Sequence, residues 1–505
     1  MPSKHPEICL SLMPESISSL PELFRRGSAA DLFEIRLDYL TDVDFAALRK
    51  MTSKPLIVTR RALAESGSSQ SSFNQQIEMF RNALKYGVDY LDVEWQQSAR
   101  ILPKLPPESH QQIVLSHHTE TREFTALVKT LEQMLQIPAG IYKLIFTAEE
   151  LNDNFTALRL IRFARKKGVS FVIHAMSEAG IPSRLIGALR GNRWTYAALD
   201  AGHRTAPGQL TLSEINREYF LKEKTAQTRI IGLSGYPVQQ SVGYKLHNRL
   251  LHLLRKEAAA SRQSVQDFLY LNFPAPDFDS FWQQWSKVID GLSVTLPHKS
   301  KITGRLSGVD AYTRRSGVCN TAVKQNGNWQ GFNTDVLAIT ELLRPFAGQL
   351  HRGVLIIGSG ATARSALTAL QQIEVERIFI GARNAFAGET LSCQFGCRFV
   401  PLPEVASLEV SGVVQTTPVG MFPDTDALAP GTEVLRPGMV VLDVVYNPPV
   451  TRFLQEAKTR GCLILSGEEM FLLQAAKQFE IFSGVKVDLN RVRQVWREVG
   501  VGIKV

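Results

Sequence analysis

The stretch Gly353-Val-Leu-Ile-Ile-Gly358-Ser-Gly360-Ala-Thr-Ala363-Arg364 decides how the second half of this 505-residue chain folds. Val354 to Ile357 is a short apolar run with the character of a buried parallel strand. It breaks at Gly358 and Gly360, and helix-forming residues follow from Ala361. Gly358 permits a tight turn. Gly360 lets backbone N–H groups approach a pyrophosphate, and Ala363 is small enough for helix and strand to pack closely. The new helix points its positive end at the phosphates. A lone G-x-G-x-x-A run also occurs at ordinary strand-to-helix turns. Here a second strand, 377–380, ends at Gly381-Ala382-Arg383-Asn384. NAD enzymes place an acidic residue there for the ribose, whereas an arginine suits a 2′-phosphate. The spacing predicts a Rossmann-like domain for NADP; a solvated loop arginine is the other reading of Arg383.

Working outward, the length leaves room for two to four domains. With 44% hydrophobic and 21% charged residues, the composition is that of an ordinary globular chain. No apolar run is long enough to span a bilayer. Residues 7–12 already read as a strand, with no signal or transit pattern, so a cytoplasmic location is expected. The five cysteines, Cys9, Cys319, Cys393, Cys397 and Cys462, are scattered and odd in number, which predicts reduced thiols. Cys393 and Cys397 have metal-ligand spacing but no second pair, so no metal is expected. The net charge of +9 is spread along the chain. It suits anionic small substrates and a phosphorylated cofactor, and no basic run points to nucleic acid.

The first half carries eight short apolar runs with strand character, at 8–12, 33–39, 56–61, 90–95, 113–118, 141–147, 171–176 and 194–199. Segments of helical period lie between them, such as 73–86, 124–135 and 151–167. This alternation predicts a (β/α)8 TIM barrel. Polar residues inside the runs keep one parity: Glu34, Arg36 and Asp38; Thr59 and Arg61; Asp92 and Glu94; Ser116 and His118; Lys143. Period-two alternation sends one set to the barrel interior. Interiors of this kind are normally Val, Ile and Leu, and buried charge is costly unless paired. Any one of these residues could belong to a structural ion pair. A lysine, a histidine, carboxylates and two arginines together predict a site. A lysine walled by apolar neighbours can form a Schiff base with a ketone. A histidine can then move a proton beside the iminium carbon, and arginines can clamp a carboxylate.

Glu34-Ile-Arg36-Leu-Asp38, Thr59-Arg-Arg61 with Glu65, Asp92-Val-Glu94, Ser116-His-His118, Ile141-Tyr-Lys143 and Ala206-Pro-Gly-Gln209 resemble type I 3-dehydroquinate dehydratase. The resemblance covers roughly residues 6–220. It implies Lys143 as Schiff-base former, His118 as general acid and base, and Glu65 as the group that orients the histidine. It implies Glu34, Arg36, Arg61, Arg184, Thr205 and Gln209 on substrate hydroxyls and carboxylate, with Met176 packed on the ring. The chain departs from the family at Thr119 and at Ser66-Gly67. His117 is expected to face outward.

Residues 223–228 read as a short polar linker after a barrel of residues 1–222. A new strand opens at 229–233. Lys299 follows Gly291-Leu-Ser293-Val-Thr295-Leu-Pro297, and Asp335 follows Gly331-Phe-Asn333-Thr. Either residue alone is an ordinary solvated loop group. Beside a nicotinamide domain the pair makes chemical sense, because a ketone being reduced needs a proton at its oxygen. These runs, with Gly317-Val-Cys-Asn320, Thr416-Thr417-Pro418, Tyr446-Asn-Pro448 and Gly467-Glu-Glu-Met470, resemble shikimate dehydrogenase. The resemblance implies Lys299 and Asp335 as the catalytic pair. It places Ser241, Thr295, Asn320, Tyr446 and Gln474 around the substrate. It places Gly358, Ser359, Gly360, Ala361, Ala363, Arg383, Thr416, Thr417, Pro418 and Gly467 on the cofactor. It implies a substrate domain over 229–335, rejoined by C-terminal helices over 466–505, and a nucleotide domain over 336–465. The family's Ser-x-Ser-Pro reads Ser241-Val-Gly243-Tyr244 here, with Tyr244 as a substitute donor, and its usual Asn is Ser293.

The two resemblances together imply a bifunctional chain. One half would dehydrate 3-dehydroquinate to 3-dehydroshikimate, and the other would reduce that to shikimate with NADPH, in aromatic amino acid biosynthesis. The alternatives are a dehydratase fused to a catabolic quinate/shikimate dehydrogenase, and a non-catalytic sensor of these acids.

Overall fold

The computed structural model describes residues 5–37, 40, 43–61, 73–238, 241–261 and 264–500. Contacts divide the chain into two compact units, Met1–Ile230 with Asp279–Val288, and Ile231–Phe278 with Ile289–Val505.

In the first unit, eight strands form one parallel sheet: β1 (Ile8–Leu12), β2 (Leu32–Arg36), β3 (Leu56–Thr59), β4 (Tyr90–Glu94), β5 (Ile113–Thr119), β6 (Ile141–Thr147), β7 (Phe171–Met176) and β8 (Thr195–Ala197). The chain order is kept around the barrel, and β8 returns to pair with β1. Closure is nearly complete. Among the described residues no ladder joins β7 to β8, and Arg193 N donates to Phe171 O at 2.8 Å where they approach. The reason is local. β8 is three residues long, and Ala198 then pairs with Leu210 and Leu212 at 2.9 and 2.8 Å.

Amphipathic helices cover the barrel. Helix Phe124–Met134 starts on Glu123, whose carboxylate accepts from the N–H groups of Thr125 and Ala126. It buries Leu127, Leu131 and Met134, the i, i+4, i+7 stripe. Each such leucine is worth about 1.5–3 kcal/mol over leaving it exposed. Inside the barrel, Cys9, Leu32, Ile57, Val114, Ile141, Ile145, Val172, Trp194 and Tyr196 form one apolar cluster. The polar residues of the same parity stand among and above it. Residues 223–228 lie down on this unit. Lys224 and Thr228 are each 1% exposed, and Arg190 donates to Ala226 O and Thr228 O at 2.8 and 3.2 Å. A lysine stem covers apolar surface well, which a polar sequence conceals.

The second unit holds two sheets. The first contains β9 (Arg229–Gly235), β10 (Phe268–Pro274), β11 (Gly291–Val294), β12 (Gly308–Val309), β13 (Thr321–Gln325) and β14 (Asn328–Phe332), in the order β10-β9-β11-β13-β14-β12. The second sheet contains β15 (Val354–Ile357), β16 (Ile378–Ala382), β17 (Arg398–Pro401), β18 (Gly412–Gln415), β19 (Val440–Asp443) and β20 (Leu463–Leu465), all parallel, in the order β17-β16-β15-β18-β19-β20. This is the doubly wound arrangement whose strand order reverses beside the first strand, where ligands bind. The C-terminal helices Gly467–Ser483 and Leu489–Gly500 return to the first of these sheets. Phe479, Phe482, Val492 and Trp496 share a core with Ile231, Phe268 and Tyr270.

Candidate active sites

In the barrel, β6 carries Lys143 inward, and its Nζ lies 2.9 Å from Asp92 Oδ2 and 3.5 Å from Glu34 Oε1. The ring of Tyr196 faces the same nitrogen at 4.6 Å. Each carboxylate has further donors. Ser11 Oγ and Thr59 Oγ1 donate to Glu34 at 2.5 and 2.9 Å, and Ser116 Oγ donates to Asp92 at 2.6 Å. Burial alone would raise both acids. Lys143 outweighs it, with Arg61 helping at Asp92 and Arg36 at Glu34, and both stay below the usual carboxylate range. Arg61 reaches Asp92 at 3.7 Å and contacts the ring nitrogens of His118 at 2.5 and 3.2 Å. Burial, then the neighbouring Arg61 and Lys143, hold His118 well below the ordinary histidine value. The ring is a free base at neutral pH.

The other expected residues divide into those gathered here and those nearby. Arg36 is buried at the end of β2, and Met176 ends β7 against the interior cluster. Thr205 donates to Gln209 Oε1 through both N and Oγ1, at 2.7 and 2.9 Å. Arg184 is 2% exposed; among the described residues its Nε has no hydrogen-bond partner, and its Nη2 lies 3.4 Å from Pro207 O. Burial pulls it down to about 10. Glu65 lies outside the described residues. His117 faces away, edge-on to Trp95 at 5.1 Å.

In the second unit Lys299 Nζ donates to Asp335 Oδ2 at 2.7 Å. Asn320 Nδ2 holds the other oxygen, Oδ1, at 2.7 Å, and Asn320 Oδ1 accepts from Thr334 N at 2.8 Å. Thr334 Oγ1 reaches Gln474 Oε1 at 3.5 Å. Tyr446 bonds Ser241 and stacks on Phe471 at 4.7 Å. Thr295 is half-buried, its N–H bonded to Ser234 O. Ser293 turns inward, donating to Gln478 Oε1 at 2.9 Å, so that departure is absorbed in a buried network. Tyr244 packs its ring on the apolar core.

The nucleotide turn has the shape a pyrophosphate needs. Gly358 has φ +116°, and a Cβ there would lie 2.6 Å from Thr416 Oγ1. Gly360 begins helix Ala361–Gln372 with open space where a side chain would stand. Ser359 and Ala361 are half-buried beside it, and Ala363 is fully buried against the sheet. Thr416 bonds Ile357 O at 2.7 Å, Thr417 and Pro418 follow β18, and Gly467 sits so close to Val445 that a Cβ would strike its carbonyl. Arg383 is exposed just beyond β16.

Comparison with known proteins agrees with this division. The family model for type I 3-dehydroquinase matches residues 8–226. The shikimate dehydrogenase substrate binding domain matches 233–322, and the shikimate 5'-dehydrogenase C-terminal domain matches 467–495. The shikimate dehydrogenase (NADP(+)) of Oleidesulfovibrio alaskensis is 32% identical over 271 residues, 52% of this chain and 93% of that protein. The chain belongs to the shikimate dehydrogenase family. Ahead of the dehydrogenase it carries a type I 3-dehydroquinase domain, and the same pairing occurs in full-length relatives. The chloroplastic bifunctional 3-dehydroquinate dehydratase/shikimate dehydrogenase of Arabidopsis thaliana is 28% identical, covering 95% of this chain and 82% of that protein. The shikimate biosynthesis protein AroDE of Chlamydia pneumoniae is 27% identical, covering 93% of each. The chain is thus a bifunctional shikimate-pathway enzyme, a lyase joined to an oxidoreductase. Among the described residues, no helix is long and apolar enough to cross a membrane.

Within this dehydrogenase fusion, three contributors stand out beyond the expected site residues. Asp92 carries the strand parity of Glu34, and that parity marked it as inward without naming it as the partner of Lys143. Tyr196 shares the inward parity of β8. Gln478 falls four residues after Gln474, one helical turn along the same face. It bonds Asn320 O at 3.3 Å and Thr321 Oγ1 at 3.0 Å.

Proposed function

We propose that residues 1–222 dehydrate 3-dehydroquinate through an imine on Lys143. The fragment 229–335, with 466–505, then holds the resulting 3-dehydroshikimate while 336–465 bind NADPH for its reduction. The observation that carries the first half is an amine 4% exposed, set between two carboxylates and beside an uncharged histidine. Lys143 adds to the ketone and expels its oxygen as water. His118 takes a proton from the adjacent carbon and returns it to the departing hydroxyl, and hydrolysis of the imine frees the lysine. The net loss is one water. The resemblance gives Glu65 the task of orienting His118. Arg184, buried with an unpartnered Nε, is suited to the substrate carboxylate, which would restore the charge balance that burial disturbs. Glu34, Arg36, Arg61, Thr205 and Gln209 hold the hydroxyls and carboxylate, and Met176 packs on the ring.

NADPH, when bound, supplies the hydride for the second reaction. The glycine turn, with Ser359, Ala361 and Ala363, would hold its pyrophosphate; Thr416, Thr417, Pro418 and Gly467 would line the nicotinamide side, and Arg383 would take the 2′-phosphate. Lys299 gives a proton to the carbonyl oxygen, and Asp335, fixed by Asn320, aims that ammonium. Ser241, Thr295, Tyr446 and Gln474 hold the ring substituents. The five free thiols suit a reducing compartment such as the cytoplasm.

The test is borohydride added with 3-dehydroquinate. Mass spectrometry is expected to find one reduced adduct, on Lys143. An adduct on another residue, or none, defeats the imine assignment.

A further inference from the structure

His174 is a buried titratable side chain at the barrel centre to which the chemistry above gives no task. It is 3% exposed on β7. The strand register places it beside the working groups. Ser116, Lys143 and Val172 pair across β5, β6 and β7 in one layer, and His118, Ile145 and His174 pair in the layer two residues nearer the strands' C-terminal ends. Ile145 belongs to the interior cluster, so His118 and His174 flank it on the same inward face. The imidazole of His174 stands edge-on to Tyr196 at 6.5 Å, and that ring faces Lys143 Nζ at 4.6 Å.

Its hydrogen bonding sets its chemistry. Nδ1 lies 3.1 Å from Ala175 O, a carbonyl that can only accept, so the proton sits on Nδ1. Nε2 is then an acceptor. Among the described residues no protein group bonds it, and the side chain keeps a small exposed surface, 3% of the residue. Burial, then the cations Arg184 and Lys143, keep the ring uncharged.

A ketone carbon bound to Lys143 has two ring neighbours. One gives up its proton to His118. The other, C4 of 3-dehydroquinate, bears a hydroxyl, and the second histidine stands on the second flank. We propose that His174 Nε2 accepts a hydrogen bond from the substrate's C4 hydroxyl and so makes the dehydratase selective for a ketone with an adjacent hydroxyl. This rests on the reading of Lys143 as the imine former.

The experiment compares 3-dehydroquinate with its 4-deoxy analogue in the full-length protein, for wild type, His174→Leu and His174→Gln, by formation of the enone. His174→Leu is expected to lose about tenfold or more in kcat/KM on 3-dehydroquinate, the scale for leaving a buried hydroxyl unpaired, and almost nothing on the analogue. His174→Gln, which keeps an acceptor, is expected to recover part of the loss. Equal losses on both substrates in both variants, or no loss on either, overturn the proposal. Borohydride trapping on Lys143 in each variant separates the two readings. Trapping that persists without hydroxyl discrimination defeats the role of His174 alone, whereas no trapping in wild type defeats the imine.

Discussion

Lys143 and Lys299 each sit against an aspartate, at 2.9 and 2.7 Å, but their settings differ. The Lys143 side chain is 5% exposed, with Asp92 and Glu34 on it and an aromatic ring across it. The Lys299 side chain is 14% exposed beside one carboxylate, which Asn320 holds from behind. The difference fits what each amine would do in the proposed reactions. One that attacks a carbonyl works away from competing water, so a dry interior with paired carboxylates to hold it suits the task. One that donates a proton at each turnover must be recharged from water, so it belongs at the edge of a cleft.

The comparison breaks most sharply if either substitution damages both reactions. Lys143→Ala is expected to cut dehydration by about 10⁴-fold or more while reduction of supplied 3-dehydroshikimate continues. Lys299→Ala should do the reverse, losing about 10²–10⁴-fold in reduction alone. Enone absorbance and NADPH consumption read the two separately. Loss of both activities in one variant would mean that the sites are not independent.

Stability should divide the same way. Lys143→Ala strands two buried carboxylates and is expected to cost about 3–5 kcal/mol in denaturant unfolding. Lys299→Ala, at a more open pair whose aspartate keeps its Asn320 bond, should cost about 1–2 kcal/mol. Equal costs would show that burial does not distinguish the two pairs.

The cofactor arm sharpens the contrast within the second unit. Arg383→Ala removes an exposed charge just beyond β16. It is expected to weaken NADPH by about 1.5–3 kcal/mol, tenfold or more, with NADH use almost unchanged. Wild-type preference for NADH would remove the reading of Arg383.

The last contrast is in acid stability. His174 and His247 are 3% and 2% exposed. Burial holds both down, with Arg184 and Lys143 adding at His174, and His247 falls to about 3. Below about pH 6.5 the unfolded chain takes up protons that the native chain refuses. Stability should therefore fall as pH falls, by up to about 1.4 kcal/mol per unit for each histidine, and level off above 6.5. The base form of His118 should persist through the same window, so dehydration should outlast the onset of destabilisation. A stability curve flat from pH 7 to 5 contradicts the buried neutral state.

Much of the site was legible as pattern. The parity of Glu34, Thr59, Asp92, Ser116 and Lys143 reported one inward face, because a strand's side chains alternate whatever surrounds it. The glycines of 358–360 reported a turn for the same local reason. His174 has inward parity too, yet nothing in Phe171-Val-Ile-His-Ala-Met176 says that it stands level with His118. Ser293 departs from the family's residue, and only the fold brings its hydroxyl onto Gln478.

The sequence alone determined the eight-strand alternation, the nucleotide turn and the inward face that carries Lys143, since period, turn geometry and residue type are properties of short stretches. Tertiary structure decided which carboxylate holds Lys143, 51 residues away, and that β8 pairs with β1 and not with β7. It also decided that Gln478 reaches Ser293 across 185 residues. Those depend on strand register and on where a returning helix comes to rest, which packing of the whole core selects and no local pattern encodes.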